Sequence, residues 1–343
     1  MLIPKLKAGD YSRETLTQAL ACRGRAQRRL FALARQRREA HFPSRAVQMR
    51  SVIEISNICR QRCNFCNIGH TDQSRYVITQ DEFLALADRI YNKERRVLLI
   101  QSGENHSQIF VDHVCRCLEA LTQRYRDLKI ILCLGNLKAA QYRQLRAAGA
   151  EWYILKFETS NPKLYRKLKP RDTLTHRLEC LASLLRAGFK VGSGDMVGLP
   201  GQTIADLVND LYLLGQYKLI MQSCSVFIPG EKSKCAAAPM GDLNLTLNMM
   251  ALMRIMYPDR LSPTTSSLEK ALQGGQYLGL MAGANAVTVH DGTPAHLKSL
   301  FPIYSTKRIT PQDEYLRTIV RKAGLKLASP DAPQRLKSLQ PTP

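Results

Sequence analysis

Long hydrophobic runs are missing from this chain of 343 residues. No stretch of eighteen apolar residues occurs, so no membrane-spanning helix is expected. The opening Met1-Leu2-Ile3-Pro4-Lys5 lacks the apolar core of a secretory signal. Cysteine is sparse; ten thiols are too few for a small disulfide scaffold. A cytoplasmic chain with reduced thiols is expected. Aromatics reach only 7%, with a single Trp, which argues against base-stacking platforms. Acids are scarce too: 28 against 50 Lys and Arg, a net charge of +22. Such a surface attracts polyanions, acidic protein partners or anionic membrane. The 45% apolar content excludes a chain disordered throughout.

Residues 1–50 carry twelve Lys/Arg and three acids. Leu16, Leu20, Leu30, Leu33 and Ala34 recur at helical spacing, predicting one or two basic helices with a break near Gly24. From residue 51 strands and helices alternate. Strand candidates are Val52–Ile55, Val97–Ile100, Lys129–Cys133, Trp152–Lys156, Phe189–Val191, Leu219–Met221 continuing to Phe227, Leu261, and Ala286–Val289. Eight strands separated by helices predict an α/β fold, a (β/α)8 TIM-type barrel over 51–327 with an N-terminal helical extension over 1–50. An open doubly wound sheet is the alternative. The tail, 328–343, has four prolines and is expected to be disordered. In a barrel, chemistry belongs at the C-terminal ends of the strands.

Just after the first strand stands Cys59-Arg60-Gln61-Arg62-Cys63-Asn64-Phe65-Cys66, a C-x3-C-x2-C run. Three thiolates on so short a loop suit an iron–sulfur cluster with one iron left open. Arg60 and Arg62 would favour thiolates. Zinc needs a fourth ligand, and His70 is at hand. Other motifs sit at strand ends: Ser102-Gly103-Glu104, Phe157-Glu158-Thr159-Ser160-Asn161-Pro162, Gly194 to Thr203, Phe227-Ile228-Pro229, and Thr264-Thr265-Ser266-Ser267. Gly192 to Gly198 lacks the G-x-G-x-x-G spacing of a dinucleotide fingerprint.

The cysteine loop and these segments resemble the radical S-adenosylmethionine (SAM) superfamily, in the branch containing biotin synthase, methylornithine synthase and the [FeFe]-hydrogenase maturase. Biotin-synthase-like lipoyl synthases share much of the pattern. The resemblance covers most of residues 50–325. It implies that Cys59, Cys63 and Cys66 hold a [4Fe-4S] cluster whose open iron is chelated by SAM. Reduction then yields a 5′-deoxyadenosyl radical. It further implies that Ser102, Gly103 and Glu104 receive SAM's amino group. Glu158 takes the ribose or amino group and Arg177 the carboxylate, while Phe65, Met196 and Ile228 border the adenine. Thr264 and Thr265 become substrate-site candidates. A helix N-cap at Ser266 or Ser267 is the plain alternative for that segment. His290-Asp291 reads as a polar strand end.

Biotin synthase ligates a sulfur-donor cluster inside its barrel, at places matched here by Gln101, Ile131 and Gly192, so that cluster is expected to be absent. Cys22, Cys115, Cys117, Cys180, Cys224 and Cys235 are expected to pack rather than ligate. The resulting expectation is a radical SAM enzyme for a cofactor- or metabolite-biosynthesis step, acting on a small-molecule or carrier-tethered substrate. A low-potential electron donor and an acidic protein partner go with it. Two alternatives stand beside it: lipoyl-synthase-type sulfur insertion into an octanoyl group on a carrier protein, and a zinc-loop nucleic-acid-binding protein using the arginine-rich helices.

Overall fold

The computed structural model describes residues 1–70, 74–303 and 310–329. Eight parallel strands follow one another: β1 (Ala46–Ser56), β2 (Val97–Ser102), β3 (Lys129–Cys133), β4 (Trp152–Ile154), β5 (Lys190–Val197), β6 (Met221–Val226), β7 (Pro263–Thr264) and β8 (Ala286–Val289). Their order is β6-β5-β4-β3-β2-β1-β8-β7, and a parallel bridge between Met221 and Leu261 closes the ring. There Gln222 donates its N–H to the Leu261 carbonyl at 2.8 Å. This is the TIM-type barrel, nearly closed, and the open-sheet alternative falls.

Alternation along each strand sorts side chains into two layers. Val52, Val97, Leu99, Ile131, Trp152, Met221 and Leu261 form an apolar cluster of their own, the floor of the lumen. One pleat nearer the mouth the same faces carry Glu54, Gln101 and Cys133, and Lys156 follows just past the end of β4. Ile53, Ile55, Leu98, Ile100 and Leu132 point outward to the helices.

The helices form the outer ring. After the N-terminal ones, these are α4 (Gln80–Tyr91), α5 (Gln108–Arg124), α6 (Ala139–Ala147), α7 (Pro162–Leu168), α8 (Leu174–Arg186), α9 (Ile204–Gly215), α10 (Leu243–Met256), α11 (Ser266–Ala271), α12 (Gly275–Met281) and α13 (Asp313–Lys322). Capping boxes start α4 (Thr79, Glu82) and α9 (Thr203, Asp206).

The N-terminal segment makes three helices: α1 (Leu2–Lys7), α2 (Arg13–Ala21) and α3 (Gly24–His41). Gly24 opens α3, so the break falls at Cys22 and Arg23. These helices explain why α10 is apolar nearly all round: it has β6 on one side and α2 and α3 on the other. Leu16, Leu20 and Leu30 are fully buried there, each worth about 2 kcal/mol. Gln27 donates to Asn248 Oδ1 at 2.9 Å, and Arg38 to the Leu280 carbonyl at 2.7 Å.

β1 starts at Ala46, ahead of the apolar run at Val52, because Ala46 and Val47 pair with a short ninth strand, β9 (Lys326–Leu327). The expected disordered tail falls, from residue 330 onward, outside the described residues. Among the described residues no helix is long and apolar enough to cross a membrane.

Candidate active site at the barrel mouth

The cysteine loop leaves the C-terminal end of β1 and is clamped on three sides. Arg60 N–H donates to the Glu104 carbonyl at 2.9 Å, Asn64 N–H to the Leu168 carbonyl at 2.7 Å, and Cys235 N–H to the Asn64 carbonyl at 2.9 Å. Its root is pinned by Asn57, whose amide donates to the Ser74 and Leu300 carbonyls, both at 2.8 Å. Gly103 is required by close approach. A Cβ there would lie 2.4 Å from the Ile58 carbonyl oxygen and 2.7 Å from Cys59 Cβ.

The three thiols are near enough to act electrostatically on one another, and the Glu104 N–H points at Cys59 Sγ at 3.4 Å. Burial pushes all three up, Cys63 to about 11 and Cys66 further. The cation that opposes this is Lys169, in the turn after α7. Arg60 and Arg62 do not serve that purpose, because both are exposed. Thiols held this way are protonated at neutral pH, and ligation to a metal would displace their protons to solvent.

His70 does not complete a zinc site through Nε2, which lies 3.0 Å from the Cys63 carbonyl oxygen. Among the described residues no three His, Cys, Asp or Glu side chains are grouped as ligands to a single ion. A four-iron cluster takes each thiolate on a different iron and needs no such grouping. Three neighbouring thiols on one loop, one backbone N–H aimed at sulfur and a buried cation beside them fit it.

Behind the loop lies a buried charge network. Glu104 is 6% exposed; its Oε1 accepts from Gln61 at 2.7 Å and its Oε2 from the Asn136 N–H at 3.0 Å. Gly135, at φ +78°, makes room, since a Cβ there would fall 2.6 Å from the carboxylate. Arg177, 5% exposed, reaches Glu104 at 3.6 Å and Asp172 at 3.5 Å, and donates Nε–H to the Tyr165 hydroxyl at 3.0 Å. Burial works against its charge, but Tyr165, Glu104 and Asp172 outweigh it and hold Arg177 above its ordinary value. Asp172 likewise overcomes burial and drops to about 2, through Arg177, Tyr165 and His176. Ser102 ends β2 and turns its hydroxyl to the Gly103 carbonyl at 2.6 Å.

Glu158 stands just past β4 with φ +68°, rare for a residue with a side chain and a mark of functional strain. Its carboxylate pairs with Lys156 at 3.1 Å, and Lys156 also reaches Ser225 Oγ at 3.3 Å. Phe65 and Met196 come together in one apolar cluster with Leu164, Leu168, Leu199 and Phe227. Gln202 holds that wall. Its amide donates to the Met196 carbonyl at 2.9 Å and its oxygen accepts from the Gly198 N–H at 2.8 Å. Ile228 packs on the main core instead.

The paired threonines separate. Thr264 is fully buried, and a Cβ on Gly279 of α12 would come 2.3 Å from its Oγ1. Its hydroxyl faces the helix wall, because neighbouring strand residues point to opposite faces. Thr265 sits partly exposed at the mouth, Oγ1 2.8 Å from Ser267 Oγ. His290 and Thr293 both hold Glu54, at 3.1 and 2.6 Å. Cys133 lines the lumen beside Gln101, whereas Cys224 points out to the Thr246 carbonyl of α10.

The sequence reading passed over Gln61, Asn136, Lys156, Tyr165, Lys169 and Asp172. Asp172-Thr173 looks like an ordinary helix start, and Thr173 does cap α8. The spacing of Lys169 and Asp172 was the available signal.

A thiol trio at the strand tips, backed by a buried carboxylate and guanidinium, is now in place. The sequence model of the radical SAM superfamily matches residues 53–214. The "[FeFe] hydrogenase maturase subunit HydE" of Thermotoga maritima is 34% identical over 309 residues, covering 89% of this chain and 87% of that protein. The chain belongs to the radical SAM superfamily. Within it, 3-methylornithine synthase of Methanosarcina barkeri is 26% identical over 76% of this chain and 73% of its own length. The biotin synthase of Bradyrhizobium is also 26% identical, over 76% of this chain and 80% of its own length. The crystal structure of methylornithine synthase (PylB) superposes with a TM-score of 0.80 at 22% identity, covering 96% of this chain and 98% of that one. The maturase HydG from Carboxydothermus hydrogenoformans gives 0.76 at 19%, over 93% of this chain and 77% of that one. The protein is therefore a radical SAM enzyme of the HydE and biotin-synthase-like branch, using a [4Fe-4S] cluster and SAM.

Proposed function

We propose that the enzyme carries out a cofactor-biosynthesis step of the HydE type on a small molecule held inside the barrel. The cluster would be held by Cys59, Cys63 and Cys66. When bound, cluster and SAM together supply a 5′-deoxyadenosyl radical for hydrogen abstraction.

The chain's own residues set the geometry. Glu104 accepts the methionine ammonium, with Ser102 and Gly103 giving it close backbone approach. Arg177 stands behind Glu104 and supplies positive charge toward the carboxylate. Glu158, pre-set by its left-handed backbone, faces the ribose. Phe65 and Met196 form the apolar wall for the adenine. Substrate lies toward Lys156 in the lumen, with Thr265 at the mouth beside it. Lys156, held by Glu158 and Ser225 Oγ, is the cation that an anionic substrate group would meet there.

The observation that carries this reading is the Glu104–Arg177–Asp172 network packed directly against the cysteine loop. Gln101, Ile131 and Gly192 put no thiol at the three lumen positions that a biotin-synthase donor cluster uses, which favours a reaction without that sulfur source over sulfur insertion. All ten cysteines are free thiols, and we place the enzyme in the cytoplasm on that support.

The test is Cys63→Ala, reconstituted anaerobically with iron and sulfide and given dithionite and SAM. We expect a folded protein that forms no 5′-deoxyadenosine while wild type does. Native-rate cleavage in the variant would remove Cys63 from the site. Zinc without iron in the reconstituted wild type would return the zinc-loop nucleic-acid reading.

A further inference from the structure

Helix α3 has two faces with different work. Gln27, Leu30, Ala34 and Arg38, at i, i+3, i+7 and i+11, are buried and turn to α10 and α12. Arg25, Ala26, Arg29, Ala32 and Gln36 run along another side of the same helix and are exposed. α1 packs beside α3, and an open groove of about 860 Å³ lies between them. Its floor is apolar, made by Leu2 and Ile3 of α1 and by Ala26, Ala32 and Leu33 of α3. Its rim is cationic, with Lys7 on one wall and Arg25 and Arg29 on the other. Residues 1–9 and 24–38 together hold eight Lys/Arg and no acid. Among the described residues Lys7, Arg25, Arg28 and Arg29 form no ion pair, so their charge is directed at solvent. An apolar floor inside an unpaired cationic rim marks an interaction site rather than ordinary surface.

We propose that this groove is the docking site for an acidic amphipathic helix of a partner protein. From Arg25 to Gln36 the lining follows α3 for about three turns, roughly 16 Å. A helix of that length lays its apolar ridge on the floor and sets carboxylates against the rim. A flat lipid surface does not reach a floor walled by two helices. A second copy of the chain brings the same +22 charge and the same cationic rim. Residues 331–343 carry two cations to one acid and bring no complementary charge either. The Arg25 end of the groove lies toward the barrel mouth, because Arg23 pairs at 2.8 Å with Asp242, the cap of α10, which is entered from the C-terminal end of β6. A partner held there sits on the outer wall beside the mouth. The inference stands independently of the cluster assignment.

The test uses the full chain and a fluorescent synthetic helix of about 18 residues, with Leu at i, i+3, i+4 and i+7 and Glu or Gln elsewhere, followed by anisotropy. We expect saturable binding that weakens with added salt. Arg25→Glu with Arg29→Glu should weaken it at least about tenfold, since attraction at the rim becomes repulsion. Ala32→Trp should do the same by filling the floor without changing charge, and its exposed position should leave the Tm at the wild-type value. Lys163→Glu with Lys167→Glu, an equal charge change at exposed sites elsewhere, should bind as wild type does. Absence of saturable binding would overturn the proposal. So would equal binding of a peptide with the same residues in scrambled order, or an equal loss in the Lys163 and Lys167 variant. Binding to phosphatidylglycerol vesicles that Ala32→Trp abolishes while the peptide still binds would give the groove to a lipid surface instead. A wild-type dimer that Ala32→Trp turns into a monomer in sedimentation would give it to a second copy, and either result refutes the partner helix.

Discussion

Replacing Gly103 by alanine puts a methyl group where the fold has no room. The new Cβ would meet the Ile58 carbonyl oxygen at 2.4 Å and Cys59 Cβ at 2.7 Å. Ordinary contact is about 3.5 Å, so the cysteine loop must retreat by roughly 1 Å. That movement weakens the Arg60 N–H bond to the Glu104 carbonyl and the Glu104 N–H contact with Cys59. Overpacking costs about 1–3 kcal/mol and a lost hydrogen bond about 1 kcal/mol, so roughly 3 kcal/mol in all. Unfolding entropy for a chain of 343 residues is about 0.7 kcal/mol/K, which converts this to a Tm drop of ~4 °C. Scanning calorimetry reads the stability. Iron and sulfide per chain after anaerobic reconstitution read the site. Gly188→Ala is the control: it has φ +80° but no atom within 4 Å, so it costs only about 1 kcal/mol and spares the cluster. Full cluster loading in Gly103→Ala, or equal loss in Gly188→Ala, would refute the steric argument.

Arg177→Gln leaves Glu104 and Asp172 buried without their cation, at a cost of about 3–5 kcal/mol; calorimetry should show a Tm several degrees lower and SAM titration a weaker affinity. A variant with wild-type Tm would mean the network carries no such energy. Asp195 is the pH probe. Burial, with Glu158 adding to it against Lys156 and Cys224, raises its carboxyl to about 7. The folded chain therefore binds more protons than the unfolded one between pH ~4 and ~7. Stability from this group is full near pH 4, falls as pH rises to about 7 and stays low above. Asp195→Asn should raise Tm at pH 8 and raise it less at pH 5; an equal gain at both would refute the account.

Apolar runs marked out seven of the strands and cysteine spacing the loop, because each lies within one short contiguous stretch; the seventh strand, expected at Leu261, forms two residues later at Pro263–Thr264. Phe65, Glu104 and Met196 were picked out by the resemblance of their local motifs to a known family, not by periodicity. Barrel closure was different. It depends on the Met221–Leu261 bridge between segments forty residues apart, and on β9 completing β1 from the far end of the chain. Thr264 and Thr265 are chemically alike in the sequence. Which one opens onto the lumen is a matter of strand parity, and parity is settled only when β7 docks on β8. The network around Glu104 draws Gln61 from the β1–β2 connection, Asn136 from β3–β4, and Tyr165, Asp172 and Arg177 from β4–β5, each unremarkable alone. Local spacing encodes local structure; a buried charge finds its partners only once long-range packing has excluded water and brought those loops to the same end of the barrel.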